Sequence, residues 1–261
     1  MNLPFISNVP DPLRVLIALG FTMLLVLLRL DAERFGVAEY DEPDRTGRQR
    51  SLRRRLGWYV VGIAGIVAVA IVHPKPDTDL YLGLGDRGKA IAGGLLYGFG
   101  GTAAAIFYAM LRYRHLRLPE TWSYPGALIN DVGTAFVDEA IFRGLVLGFL
   151  VNVGLQPVLA ILIQALVYTL TTRVAARDRP LYMLPLTLAI GLVSGWLTVL
   201  TGGIGAAFLG HAVTRFSFFL TTGHRGHTAP KGREVEEMER QHRPPEGWRL
   251  VGPRESTSND R

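Results

Sequence analysis

GALINDVGTAFVDEAIFRGLVLGFLV, residues 126–151, is long enough to cross a bilayer as a helix, yet it carries Asp138, Glu139 and Arg143 near its middle. A spanning helix needs roughly 20 mostly apolar residues. A charge at mid-bilayer costs about 2.5 to 3.5 kcal/mol on insertion scales, so three within a turn and a half must face the interior of a helix bundle. Glu139 and Arg143 are four apart with the acid first, the favourable order for an ion pair on one helix face. Asp138 is rotated by about 100° from Glu139 and has no equally placed partner on this helix. Its charge must be met from another helix or by water, which makes it the stronger candidate for acid or base work.

Outward from this stretch, similar apolar runs recur. We read spans near residues 12–30, 57–72, 90–111, 126–151, 155–172, 181–200 and 203–220, the second of them short. The expected fold class is therefore all-α, a polytopic membrane helix bundle of about seven transmembrane helices. Composition agrees: 49% of the 261 residues are hydrophobic, 30 are Gly, and mean hydropathy is +0.23, too apolar for an ordinary soluble domain. The first run, LRVLIALGFTMLLVLL, lacks a basic leader and a small-residue cleavage site and is read as a retained helix.

The net charge of +6 resembles a nucleic-acid signal until its positions are considered. Arg45, Arg48, Arg50, Arg53, Arg54 and Arg55 fall in the first connection, Arg112, Arg114 and Arg117 in the third, and Arg173, Arg177 and Arg179 in the fifth. The alternate connections are poor in net charge, so the excess is a positive-inside pattern and no nucleic-acid partner is expected. This places the chain in the cell membrane as a multi-pass protein with the N-terminus outside and the C-terminus cytoplasmic. Residues 1–222 are expected to form the transmembrane domain. Residues 223–261 form a polar cytoplasmic tail, largely disordered around one short helix at Glu234–Gln241.

Chemistry has few residue types to draw on. With no cysteine, thiolate nucleophiles and Cys-ligated metals are excluded. The seventh span carries His211 and Arg215, also four apart, and small residues on it and on the fourth span would let the two approach closely. A purely structural network of Glu139, Arg143, Arg215 and His211 would account for these charges without catalysis. His211 with Asp138 or Glu139 is too sparse a ligand set for zinc, so neither a metal nor any other cofactor is expected. A serine protease of the rhomboid type is disfavoured because Ser194 in GLVSG lacks the nucleophile-turn spacing. A proton-coupled transporter using Asp138, Glu139 and His211 as a relay is a further reading.

DEAIFR at Asp138–Arg143 resembles the EExxxR motif of the CPBP family, also called Abi, which contains type II CAAX prenyl endopeptidases and bacteriocin-processing or immunity-related membrane proteins. The helix order agrees, with LIQALVYTLTTR and GLVSGWLTVLTGGIGAAFLGHAVTRF where the family's F-x-x-x-H and H-x-x-x-N/D helices should follow, over roughly residues 120–220. The resemblance implies Asp138 as general base, Glu139 and Arg143 as its supporting pair, and His211 as an oxyanion donor. Tyr168 and Thr172 stand where Phe and His are expected, and Arg215 where the second oxyanion group belongs. A Thr hydroxyl does not take a proton at physiological pH, so the attacking water would depend on Asp138 alone. The implied function is intramembrane hydrolysis of a peptide bond in a membrane-associated or lipidated substrate, with activity weakened or lost. The alternative is a non-catalytic binding, immunity or scaffold protein using the same cavity.

Overall fold

The computed structural model describes residues 8–35, 52–113, 116, 125–175 and 183–222, and the described residues contain helices and no strand. All seven expected spans are helices: α1 (Asp11–Leu30), α2 (Leu52–Val72), α3 (Arg87–Tyr113), α4 (residues 125–152), α5 (Pro157–Ala175), α6 (Met183–Thr201) and α7 (Gly205–Thr222). They lie within the first of two units, Met1–Gly226; the second, His227–Arg261, is outside the described residues, as are the expected tail and its short helix. The second span is longer than expected. It begins at Leu52 and takes in Arg55, assigned above to the loop, whose side chain is buried.

Five helices, α1, α2, α3, α5 and α6, are long and apolar enough to cross a membrane. They turn large apolar side chains such as Leu24, Val60, Phe99, Leu170 and Trp196 outward, as lipid-facing surfaces require. The two remaining helices, α4 and α7, carry Asp131, Asp138, Glu139, Arg143, His211 and Arg215 and sit inside. On α4 nearly every residue from Asn130 to Phe149 is buried or half-buried, so its polarity meets protein and not lipid.

Glycine sets the tightest contact, between α3 and α7. A Cβ at Gly98 would stand 2.9 Å from Cβ of Val213, and one at Gly94 2.8 Å from Cδ2 of Leu209. Tyr97 of α3 lays its ring against Gly210. The small residues of α7 thus serve its approach to α3, whereas Gly133 of α4 meets the ring of Tyr59 on α2. The fourth and seventh spans also pack on each other, as expected.

α4 is not uniform. Pro125–Glu139 is α-helical, Ala140–Val146 is a π-helix and Leu147–Asn152 is α-helical again. A π segment widens the turn and releases backbone groups from the i−4 ladder, a feature frequent at functional sites. Here it begins immediately after Glu139 and contains Arg143. α1, α5 and α6 all pack on it, which puts it at the centre of the bundle.

The segment between α2 and α3 folds onto the same end. After a short helix, Pro76–Asp79, Tyr81 accepts through its carbonyl from the backbone N–H of Ile204 at 3.1 Å, and Asp86 donates its own N–H to the carbonyl of Thr201 at 2.8 Å. Gly85 takes φ of +73°, a left-handed conformation that glycine adopts without steric penalty. The side chain of Asp86 caps α3 by accepting from the N–H of Lys89 at 2.8 Å.

Candidate functional site

The consecutive acids at 138 and 139 point to different neighbours, as their rotation on a helix requires. Glu139 faces α6 and α7. His211 Nδ1 lies 2.6 Å from its Oε1, and the hydroxyl of Ser194 lies 3.3 Å from the same oxygen. Arg143 Nε stands 3.2 Å from Oε2, so the acid is held between an imidazole and a guanidinium. With the acid ionised, Nδ1 is the donor and the ring is fixed in the tautomer or charge state that carries a proton there. All three side chains are buried.

Tyr168 of α5 completes this half. The guanidinium carbon of Arg143 lies 4.3 Å from the centre of its ring, a cation–π contact, and the ring meets Phe142 edge-on at 5.2 Å and His211 at 6.3 Å. The aromatic at this position holds Arg143 flat. Phe would do the same, so this departure from the family's pattern leaves the geometry intact.

Asp138 faces the other way and is claimed by a residue that sequence reasoning missed. Arg29, in the last turn of α1, places Nε 2.5 Å from Oδ1 and Nη2 3.1 Å from Oδ2, a bidentate ion pair engaging both carboxylate oxygens. Both side chains are almost wholly buried. Arg29 gave a weak signal: an arginine two residues from the end of an apolar run reads as a flanking residue reaching for the interface.

Arg215 is not where the structural-network reading put it. Its Nη2 lies 3.5 Å from Oδ1 of Asp131, almost two turns before Asp138 on α4, and not beside Glu139. Three carboxylates of α4 therefore meet three arginines on three different helices: Asp131 with Arg215 of α7, Asp138 with Arg29 of α1, and Glu139 with Arg143 of α4 itself. Nearby, the hydroxyl of Tyr59 bonds the side chain of Asn130 at 2.7 Å and lies 3.0 Å from Thr134 Oγ1.

The structure thus brings Glu139, Arg143, Tyr168 and His211 into one cluster, pairs the adjacent Asp138 with Arg29, and directs Arg215 to Asp131. Thr172 is buried one turn beyond Tyr168, and its hydroxyl makes no hydrogen bond. Ser194 adjoins Glu139 and Tyr97, and among the described contacts it has no hydrogen bond to His211 that would activate it as a nucleophile. Among the described residues no group of three or more His, Asp or Glu side chains is arranged to hold a metal ion.

Comparison with known proteins agrees with the motif. Residues 120–217 match the family model described as type II CAAX prenyl endopeptidase Rce1-like, consistent with the CPBP resemblance of DEAIFR and spanning α4 to α7. No curated protein and no solved structure matches the chain. The chain is a multi-pass membrane protein whose residues 120–217 are similar to the Rce1-like family.

Proposed function

We propose that the Rce1-like domain gives this protein an intramembrane endopeptidase function, hydrolysis of a peptide bond in a membrane-associated or lipidated substrate. The observation that carries the reading is the 2.6 Å contact of Glu139 with His211, buried beside Asp138 at the break in α4. Asp138 would take a proton from water as the oxygen attacks the scissile carbonyl carbon. His211, held at Nδ1 by Glu139, would stabilise the oxyanion of the tetrahedral intermediate by donating from Nε2, which requires the ring to carry a proton on both nitrogens. The proton then passes to the amine as the C–N bond breaks. Without an imidazole at 172 the water relies on one carboxylate, so turnover is slow.

A second reading, a non-catalytic binding, immunity or scaffold protein, is favoured by the engagement of both Asp138 oxygens with Arg29. The test uses full-length protein in liposomes with a membrane-anchored peptide whose cleavage is followed by mass spectrometry. An endopeptidase loses turnover in Asp138→Asn, Glu139→Gln and His211→Ala while Asp138→Asn still retains the peptide. A binder cleaves nothing in any form and keeps its peptide in Asp138→Asn.

The Arg-rich connections support a cytoplasmic C-terminus and an outside N-terminus in the cell membrane. A single cysteine at exposed Asn8 should then react with an impermeant thiol reagent applied to intact cells.

A further inference from the structure

The pairing of Arg29 with Asp138 joins two parts of the chain that sequence comparison separates. Arg29 lies on α1, and the Rce1-like match begins at residue 120. Its guanidinium occupies both oxygens of the carboxylate that the proposed function needs as a base. A guanidinium engaging both oxygens takes one lone pair of each and neutralises the carboxylate's charge where it stands.

α1 is also the helix best placed to move. Its fully buried residues are Ala18, Thr22, Leu25 and Arg29, on a single helical face, flanked by the half-buried Val15, Phe21, Val26 and Leu28, while Arg14 bonds the carbonyls of Val72 and His73 at the end of α2. Of the five apolar spans it is the least enclosed, 22% of its window being buried against 28% to 44% for the others. It packs on α2, on α5 and on the π segment of α4, so it covers the side of the site that Asp138 faces. The indole N–H of Trp58 donates to the carbonyl of Leu28 at 3.0 Å, which ties the end of α1 to α2 and leaves the α5 side without such a bond among the described contacts.

We propose that Arg29 and Asp138 form a latch: the folded chain is the closed form, and the carboxylate becomes available when α1 shifts away from α5 and withdraws the guanidinium. The latch rests on the endopeptidase reading for its purpose, but opening itself is measurable without any cleavage.

The chain has no cysteine, so an introduced thiol is unique. Thr172→Cys is a near-isosteric buried reporter on α5, the helix from which α1 would withdraw, and Ala160→Cys, buried in the separate apolar cluster with Leu147 and Ile161, reports general loosening. Each is made in the full chain and in Arg29→Gln and Arg29→Lys backgrounds. Modification by a small water-soluble methanethiosulfonate is timed in lipid nanodiscs. The latch requires that Arg29→Gln speed labelling at 172 by about tenfold or more, the population shift set by roughly 1.4 kcal/mol of lost closure. Labelling at 160 should rise far less than at 172 and Arg29→Lys should remain slow. An unchanged rate at 172, or equal acceleration at 172 and 160, overturns it. A chain that opens yet cleaves nothing refutes the endopeptidase reading alone, whereas an active enzyme with an unmoved rate at 172 refutes the latch alone.

Discussion

The backbone N–H of Tyr81 donates to the carbonyl of Gly144 at 3.1 Å, so the segment before α3 is bonded directly to the π-helical break in α4. The contact depends on two glycines. A Cβ at Gly148 would stand 2.9 Å from the carbonyl oxygen of Asp79 and 3.0 Å from Cα of Leu80, both backbone. A Cβ at Gly144 would meet the end of the flexible Leu82 side chain, 2.6 Å from Cδ2. Gly148→Ala is therefore expected to cost about 1 to 3 kcal/mol as overpacking against groups that do not yield, and Gly144→Ala clearly less. Unfolding of the two variants in the same detergent ranks them; equal losses would contradict this account.

The Arg29 and Asp138 pair has a thermodynamic signature separate from any opening. Truncating one partner leaves a buried charge uncompensated, so Arg29→Gln should lose about 3 to 5 kcal/mol. Asp138→Asn in that background removes the orphaned carboxylate and should recover a large part of the loss. A double-mutant cycle on unfolding free energies measures the coupling, and strict additivity would mean that the two groups do not interact.

Much of the fold was legible in the sequence because membrane spans announce themselves by length and apolarity. α1, α2, α3, α5 and α6 follow from that alone, and α4 and α7 from the apolar residues around their charges. The π segment was not legible, since AIFRGLV has no composition that separates a π turn from an α turn; the neighbours packed on it are what distinguish it. Arg29 was missed for a different reason. Its partner is 109 positions away, and pattern rules relate residues within a few turns of one helix. The pairing of Arg215 with Asp131 was lost likewise, because Asp131 lies near the start of its span, where a charge needs no explanation.

Thr172 offers a gain-of-function test. Thr172→His would restore the imidazole that the family's pattern places there, and a positioned general base contributes about 100-fold or more. We expect cleavage of a membrane-anchored peptide to rise by about that factor, more readily in an Arg29→Gln background. The larger ring should cost about 1 to 3 kcal/mol in packing. No increase in either background would separate position 172 from the reaction.

His73 gives the fold a pH dependence. The ring is buried at the end of α2, packed edge-on against Phe149 at 5.5 Å, with Nδ1 accepting from the N–H of Lys75 at 3.2 Å and Nε2 making no hydrogen bond. Burial pushes its pKa below the ordinary histidine value, and Arg14 adds to this while Asp79 opposes it. The unfolded chain therefore binds the proton more readily, so stability falls as pH drops below about 6.5 and continues to fall until the folded value is reached. Unfolding midpoints between about pH 7.5 and 5 should decline for the parent and flatten for His73→Gln. Parallel slopes would exclude His73 as the origin.

The stretch recognisable by descent, residues 120–217, carries the carboxylate of Asp138 but not the guanidinium that neutralises it. Expressed alone it would present the lipid with an unbalanced negative charge at its own centre. The matched stretch and the charge-balanced unit have different boundaries here, and α1 supplies the counter-ion that makes the centre of the matched stretch tolerable to a membrane.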